Sequence, residues 1–152
     1  MTLPNDLSAP KISKENPGKV ILVVEDNPFM RNSLCDLIGQ SHPVCTLLQA
    51  NCAEKALELV ASQPPDLVLM DIALPGMDGL TCLAEIKKLY PATRSVVISY
   101  HEEPPYVQRA REAGADAYVA KRRLYLDLAP LLNFLLYPEL SGQVDLIRKG
   151  SL

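Results

Sequence analysis

Asp71 closes an apolar run, Leu67-Val68-Leu69-Met70, and Glu25-Asp26 closes another, Val20-Ile21-Leu22-Val23-Val24. A carboxylate at the end of a buried strand is costly unless its charge is put to use. Two such acids a few ångströms apart repel by roughly 4 kcal/mol at an effective dielectric of about 20, and a hard divalent cation relieves that repulsion. Mg2+ suits the set because it takes octahedral oxygen ligands and retains part of its water. In this reading Asp26 and Asp71 ligate directly, Glu25 does so directly or through a water, and the backbone carbonyl of Ala73 supplies another oxygen. Asp71 can then attack phosphorus as a carboxylate nucleophile and form an acyl phosphate. The transferring group needs donors aimed at its charge. Lys121 offers an ammonium and Ser99 a hydroxyl.

Such residues meet only if their elements end on one edge. Short apolar runs at 19–24, 44–49, 66–70, 95–99 and 117–120 alternate with helical patterns. Consecutive apolar positions suit strands covered on both faces. Asn27 is expected to cap the first helix with Pro28 at its first position. Its stripe is Met30, Leu34, Leu37 and Ile38. Asn51 with Glu54 reads as a capping box for the second helix, whose inner face carries Ala53, Ala56, Leu57, Val60 and Ala61. Asp78 caps the third, with Leu80, Leu83 and Ile86 inward. The fourth, about 105–114, has a thin stripe of Val107 and Ala110. The fifth is expected after Asp127, with Pro130 in its first turn, the one place a helix tolerates proline freely.

Five βα units in series imply an α/β fold with a doubly wound parallel sheet and helices on both faces. Right-handed crossovers leave few topologies, and the flavodoxin-like order 2-1-3-4-5 is the common five-stranded one, with its crevice between strands one and three. Residues 1–18 read as a flexible leader, 19–137 as the domain, and 138–152 as a short tail or linker.

The ordered set of segments resembles the receiver domains of two-component response regulators. The matching segments are Val23-Val24-Glu25-Asp26-Asn27, Leu69-Met70-Asp71-Ile72-Ala73-Leu74-Pro75-Gly76-Met77-Asp78-Gly79, Val97-Ile98-Ser99 and Ala113-Gly114-Ala115-Asp116-Ala117-Tyr118-Val119-Ala120-Lys121. The resemblance implies that Asp71 takes phosphate from the phosphohistidine of a sensor histidine kinase or phosphotransfer protein, with self-catalysed transfer and dephosphorylation rather than enzymatic turnover. It implies Mg2+ on Glu25 and Asp26, phosphate contacts from Ser99 and Lys121, and a switch through Ser99 and Tyr118 that reshapes helix four, strand five and helix five. Homodimerisation through that same surface is a family habit. Ala73 and His101 fall at the sites that tune dephosphorylation. Ala73 cannot orient a water, so His101 is the nearby candidate, and His101→Ala is expected to change the lifetime of the phosphorylated state.

The sequence also departs from the family. Tyr100 follows the hydroxyl residue where a small side chain is usual, and Arg122 follows the lysine where proline is common. The second departure is similar to receivers that precede helix-turn-helix output domains. Two alternatives therefore stand beside phosphotransfer: a phosphorylation-independent interaction module, and the receiver portion of a longer DNA-binding regulator.

Composition narrows the rest. The chain has 152 residues, 48% of them hydrophobic, and a net charge of −3. That suits one packed domain and argues against a general nucleic-acid footprint. Four cysteines, Cys35, Cys45, Cys52 and Cys82, form no CxxC pair and read as buried thiols of a reducing compartment. Neither a signal-peptide core nor a membrane-spanning run is present, so a cytoplasmic location is expected. Ala73 replaces both the second acid of a haloacid-dehalogenase-type phosphatase and the histidine of a cobalamin motif. Glu25-Asp26-Asn27-Pro28 is opposite in charge character to a flavodoxin phosphate loop, and GxxxxGK[ST] is absent.

Overall fold

The structure is a computed structural model that describes residues 18–140. The leader and most of the tail expected from the sequence lie outside the described residues. Five parallel strands form one sheet, as the alternating pattern predicted, and their order is the flavodoxin-like β2-β1-β3-β4-β5. They are β1 (Val20–Val24), β2 (Thr46–Ala50), β3 (Leu67–Asp71), β4 (Arg94–Ser99) and β5 (Ala117–Ala120). The helices are α1 (Pro28–Ser41), α2 (Ala53–Ser62), α3 (Gly79–Leu89), α4 (Pro104–Glu112) and α5 (Leu124–Leu136). A 3-10 turn, Lys121–Arg123, joins β5 to α5.

The sheet separates two cores because successive strand residues face opposite ways. Ile21, Val23, Leu67, Leu69, Val96 and Ile98 pack with Leu34 and Ile38 of α1 and with the leucines of α5. Leu22, Val24, Val68, Met70 and Val97 pack with α2, α3 and α4. Burying each such aliphatic side chain contributes about 1.5–3 kcal/mol, so the sheet is held rigidly from both sides.

Several boundaries differ from expectation for local reasons. β2 starts at Thr46, not 44, because Thr46 N–H donates to Lys19 O, whereas Cys45 N–H is held by His42 O. The expected Asn51 cap is not formed. Cys52 occupies the N-cap of α2 without a side-chain bond, and its carbonyl accepts the first helical hydrogen bond, from Ala56 N–H at 3.1 Å. Ala61, expected inward, is exposed. The fourth helix is one residue earlier at its start and two shorter at its end than expected. The fifth begins at Leu124, not after Asp127, and Pro130 lies in its interior. The apolar stripe explains this: Leu124, Leu128, Leu131, Leu132 and Leu135 are all buried, and that burial outweighs the one hydrogen bond Pro130 cannot donate.

Asn27 and Asp78 do cap as expected. Asn27 Oδ1 accepts from the N–H groups of Phe29 and Met30 at 2.9 and 3.0 Å, and Asp78 Oδ1 accepts from Thr81 N–H at 3.0 Å. Both caps fix loops that leave the C-terminal edge of the sheet.

Candidate phosphoacceptor site

The ladder register builds the site. β1 and β3 are neighbours, with Val24 opposite Met70. The next residue on each strand is therefore an acid, Glu25 and Asp71, on the same rim. Asp71 is opposite Ile98, and Ser99 is opposite Ala120, so Ser99 and Lys121 continue that rim one step along.

Glu25 and Asp71 are buried at 1% and 2% exposure, while Asp26 is exposed. One carboxylate oxygen of each lies within 4.8 Å of the others. At an effective dielectric of about 20 a pair at that range repels by roughly 3–4 kcal/mol. Lys121 provides the internal answer: its Nζ lies 3.0 Å from Glu25 Oε1 and 3.4 Å from Asp71 Oδ2. The ammonium meets Glu25 Oε1 as an ion pair without hydrogen-bond geometry, and that buried oxygen has no hydrogen-bond partner. The opposite carboxylate oxygens are satisfied locally. Asn27 N–H donates to Glu25 Oε2 at 3.1 Å, and Ala73 N–H donates to Asp71 Oδ1 at 3.1 Å.

Burial pushes the Glu25 carboxyl above the usual carboxylate value, against the lowering influence of Lys121 and Asn27, and Asp71 adds to the rise. Burial pulls Lys121 down, but its close contacts with the carboxylates of Glu25 and Asp71 outweigh burial and leave it above the usual lysine value. The cluster thus holds more negative charge than one ammonium satisfies. Three hard oxygen donors, one of them buried and without a hydrogen-bond partner, fit a small divalent cation.

The remaining candidates gather at the β4–α4 loop. Ser99 Oγ accepts from His101 N–H at 2.9 Å, and Tyr118 OH donates to His101 O at 2.7 Å. The Tyr118 phenol is pushed up mainly by burial. His101 itself stacks on Tyr106, with centroids 4.1 Å apart, and its Nδ1 lies 3.5 Å from Glu103 Oε1. Its ring is thus engaged with α4 and the residue that caps it. Ala73 is exposed beside Asp71.

Three features escaped the sequence reading. Arg122 forks onto Glu102, Nε to Oε2 at 2.6 Å and a terminal nitrogen to Oε1 at 2.9 Å. The Lys121 ammonium sits 4.7 Å from the centre of the Tyr100 ring. Gly79 passes so close to Asp71 that a Cβ there would fall 2.1 Å from the Asp71 carbonyl oxygen. Tyr100 and Arg122 had stood out only as unusual residues; a pair twenty positions apart leaves no periodic trace.

A family profile described as the response regulator receiver domain matches residues 21–129. The chain belongs to the response regulator receiver family. This receiver is 34% identical over 113 residues to the Fimbriae Z protein of Salmonella typhimurium, covering 74% of this chain and 52% of that protein. It is 33% identical over 122 residues to the nitrate/nitrite response regulator protein NarL of Escherichia coli K12, covering 80% and 56%. The chain therefore spans about half the length of the curated relatives it matches. Among solved structures, the signal receiver domain of the putative response regulator NarL from Mycobacterium tuberculosis superposes with a TM-score of 0.71 at 27% identity, over 79% of this chain and 98% of that one. Receivers of this family are signalling modules rather than classical enzymes. Among the described residues, no helix is long and apolar enough to cross a membrane.

Proposed function

We propose that this receiver accepts a phosphoryl group on Asp71 from the phosphohistidine of a histidine kinase or phosphotransfer protein. The observation that carries the reading is the pairing of a buried Asp71 carboxylate with the Lys121 ammonium inside an acidic cluster whose Glu25 Oε1 accepts no hydrogen bond. Glu25, Asp26 and Asp71 would hold Mg2+, joined by the Ala73 carbonyl. When bound, the ion neutralises charge on the attacking carboxylate and on the phosphoryl oxygens.

The chain's own residues do the rest. Ala73 N–H holds Asp71 Oδ1, which leaves Oδ2 as the oxygen beside Lys121. Lys121 supplies fixed positive charge where the phosphoryl group would gather negative charge. Ser99 can turn its hydroxyl toward that group, and doing so gives up the bond from His101 N–H. Tyr118 is tied to the carbonyl of the same residue. Both tethers end on His101, so a shift of Ser99 is felt by Tyr118 and by the surface of α4, β5 and α5. That surface is the proposed output, toward a partner protein or a second copy.

A further relative, 34% identical, is the probable transcriptional regulatory protein NarL of Mycobacterium tuberculosis, of which this chain covers 51%. That favours a receiver serving within a DNA-binding response regulator, where the same surface would govern the output domain.

Intact mass after treatment with acetyl phosphate and Mg2+ tests the reading. A gain of one phosphoryl group in the wild type, absent in Asp71→Asn, is expected. No gain from either acetyl phosphate or a phosphorylated kinase would leave a phosphorylation-independent interaction module instead.

A further inference from the structure

Beside Lys121 lies a cavity of about 330 Å³ lined by Asn27, Phe29, Met30, Ser33, Tyr100 and Lys121. Two of its walls are aromatic and face solvent: Phe29 is 83% exposed and Tyr100 71%. Both rings line one cavity beside the carboxylate cluster and offer apolar surface to an occupant. The cavity shares Lys121 with the carboxylate cluster, and that ammonium is 3.4 Å from Asp71 Oδ2. Whatever fills the cavity therefore sits alongside the nucleophile. The same ammonium lies 4.7 Å from the Tyr100 ring centre, within the range of a cation–π contact. The contact sets the Tyr100 ring beside the ammonium that Asp71 also meets.

We propose that Tyr100, with Phe29, forms an aromatic slot that receives the leaving group of the phosphodonor and makes this receiver selective for flat heteroaromatic donors over open-chain acyl phosphates. The inference rests on Asp71 being the phosphoacceptor. An imidazole ring presents two faces to aromatic walls and a ring nitrogen to the polar side chains of Asn27 and Ser33. An acetate leaving group has no such face and is strongly hydrated. As the Asp71 oxygen–phosphorus bond forms, the phosphorus–nitrogen bond breaks and its electron pair stays on nitrogen. A phosphoimidazole protonated on its other nitrogen leaves as neutral imidazole, so no further proton is needed. With acetyl phosphate the phosphorus–oxygen bond breaks and acetate leaves.

The exposure of both aromatic residues means that truncating them opens no core cavity. The test is the rate of Asp71 phosphorylation of the full chain, followed by intact mass with Mg2+, using phosphoimidazole and acetyl phosphate as donors. The ratio of the two rates is expected to fall about tenfold in Tyr100→Ala. A smaller fall is expected in Phe29→Ala, and Tyr100→Phe should keep most of the ratio because its ring face remains. A ratio in Tyr100→Ala within about twofold of the wild type overturns the slot, and so does an equal acceleration of both donors, which would make Tyr100 a simple obstruction. Both results leave Asp71 as the acceptor. Failure of every donor on the wild-type chain overturns the phosphoacceptor reading together with the slot.

Discussion

Glu25 is the residue at which stability and chemistry pull apart. It is 1% exposed, its Oε1 has no hydrogen-bond partner, and burial raises its pKa. A carboxyl whose folded-state pKa lies above the unfolded value stabilises the fold only while protonated. Its contribution is fully present below the ordinary glutamate value of 4.5 and is lost as pH rises through the elevated one. Glu25→Gln should therefore stabilise the metal-free protein at neutral pH by about 1 kcal/mol, with the advantage fading as pH falls below the ordinary glutamate range. Urea unfolding of both proteins in a chelator, at several pH values, measures this. The same substitution should weaken Mg2+ binding. Lys121 behaves in the reverse sense: its raised pKa stabilises the fold below 10.5, and that support is lost as pH rises through the raised value. A wild-type chain already more stable than Glu25→Gln at neutral pH without metal would contradict the electrostatic account.

At the scale of elements, the close approach of α3 to β3 sets where Asp71 stands. A methyl group at Gly79 would meet the Asp71 carbonyl oxygen at 2.1 Å and the Ile72 Cα at 2.7 Å. Both obstacles are backbone, so Gly79→Ala should destabilise the fold by about 2–3 kcal/mol and slow phosphorylation of Asp71. Thermal unfolding and the mass assay read the two effects separately. α4 has the thinnest buried face of the five helices: Ala110 is its single buried residue, against six in α5. Its amides should exchange at least about tenfold faster than those of α5, as hydrogen-exchange mass spectrometry will show. The sequence made β1 and β3 legible because a strand covered on both faces is a continuous apolar run. It also showed Asn27 and Asp78 as caps, because capping is a local matter. It misled at Asn51, because the first helical hydrogen bond starts one residue later, on the Cys52 carbonyl, and at Pro130, where a leucine stripe carried the helix past a residue that usually ends one. Neither the fork of Arg122 on Glu102 nor the bond of His42 Nε2 with Asn133 Oδ1 at 2.8 Å has a local signature. Each joins elements that only tertiary packing brings together.

Across the whole molecule, a rigid sheet between two cores carries all of the charged chemistry on one rim. A ligand that binds only the folded chain adds RT ln(1 + [L]/Kd) to its stability. Mg2+ at ten times its dissociation constant should therefore raise the unfolding free energy by about 1.4 kcal/mol. Asp26→Ala should lose most of that gain while keeping the fold, since Asp26 is exposed. Denaturant melts with and without the ion check both statements. The parallel ladder has one more consequence. Val24 stands opposite Met70, so the gap between the acids that follow them is set by the spacing of paired backbones. The sheet serves as a ruler. Exchanging one core aliphatic for another leaves the graduation untouched, whereas inserting a single residue into β3 would turn Asp71 to the opposite face and send part of the strand's apolar side chains into the wrong core.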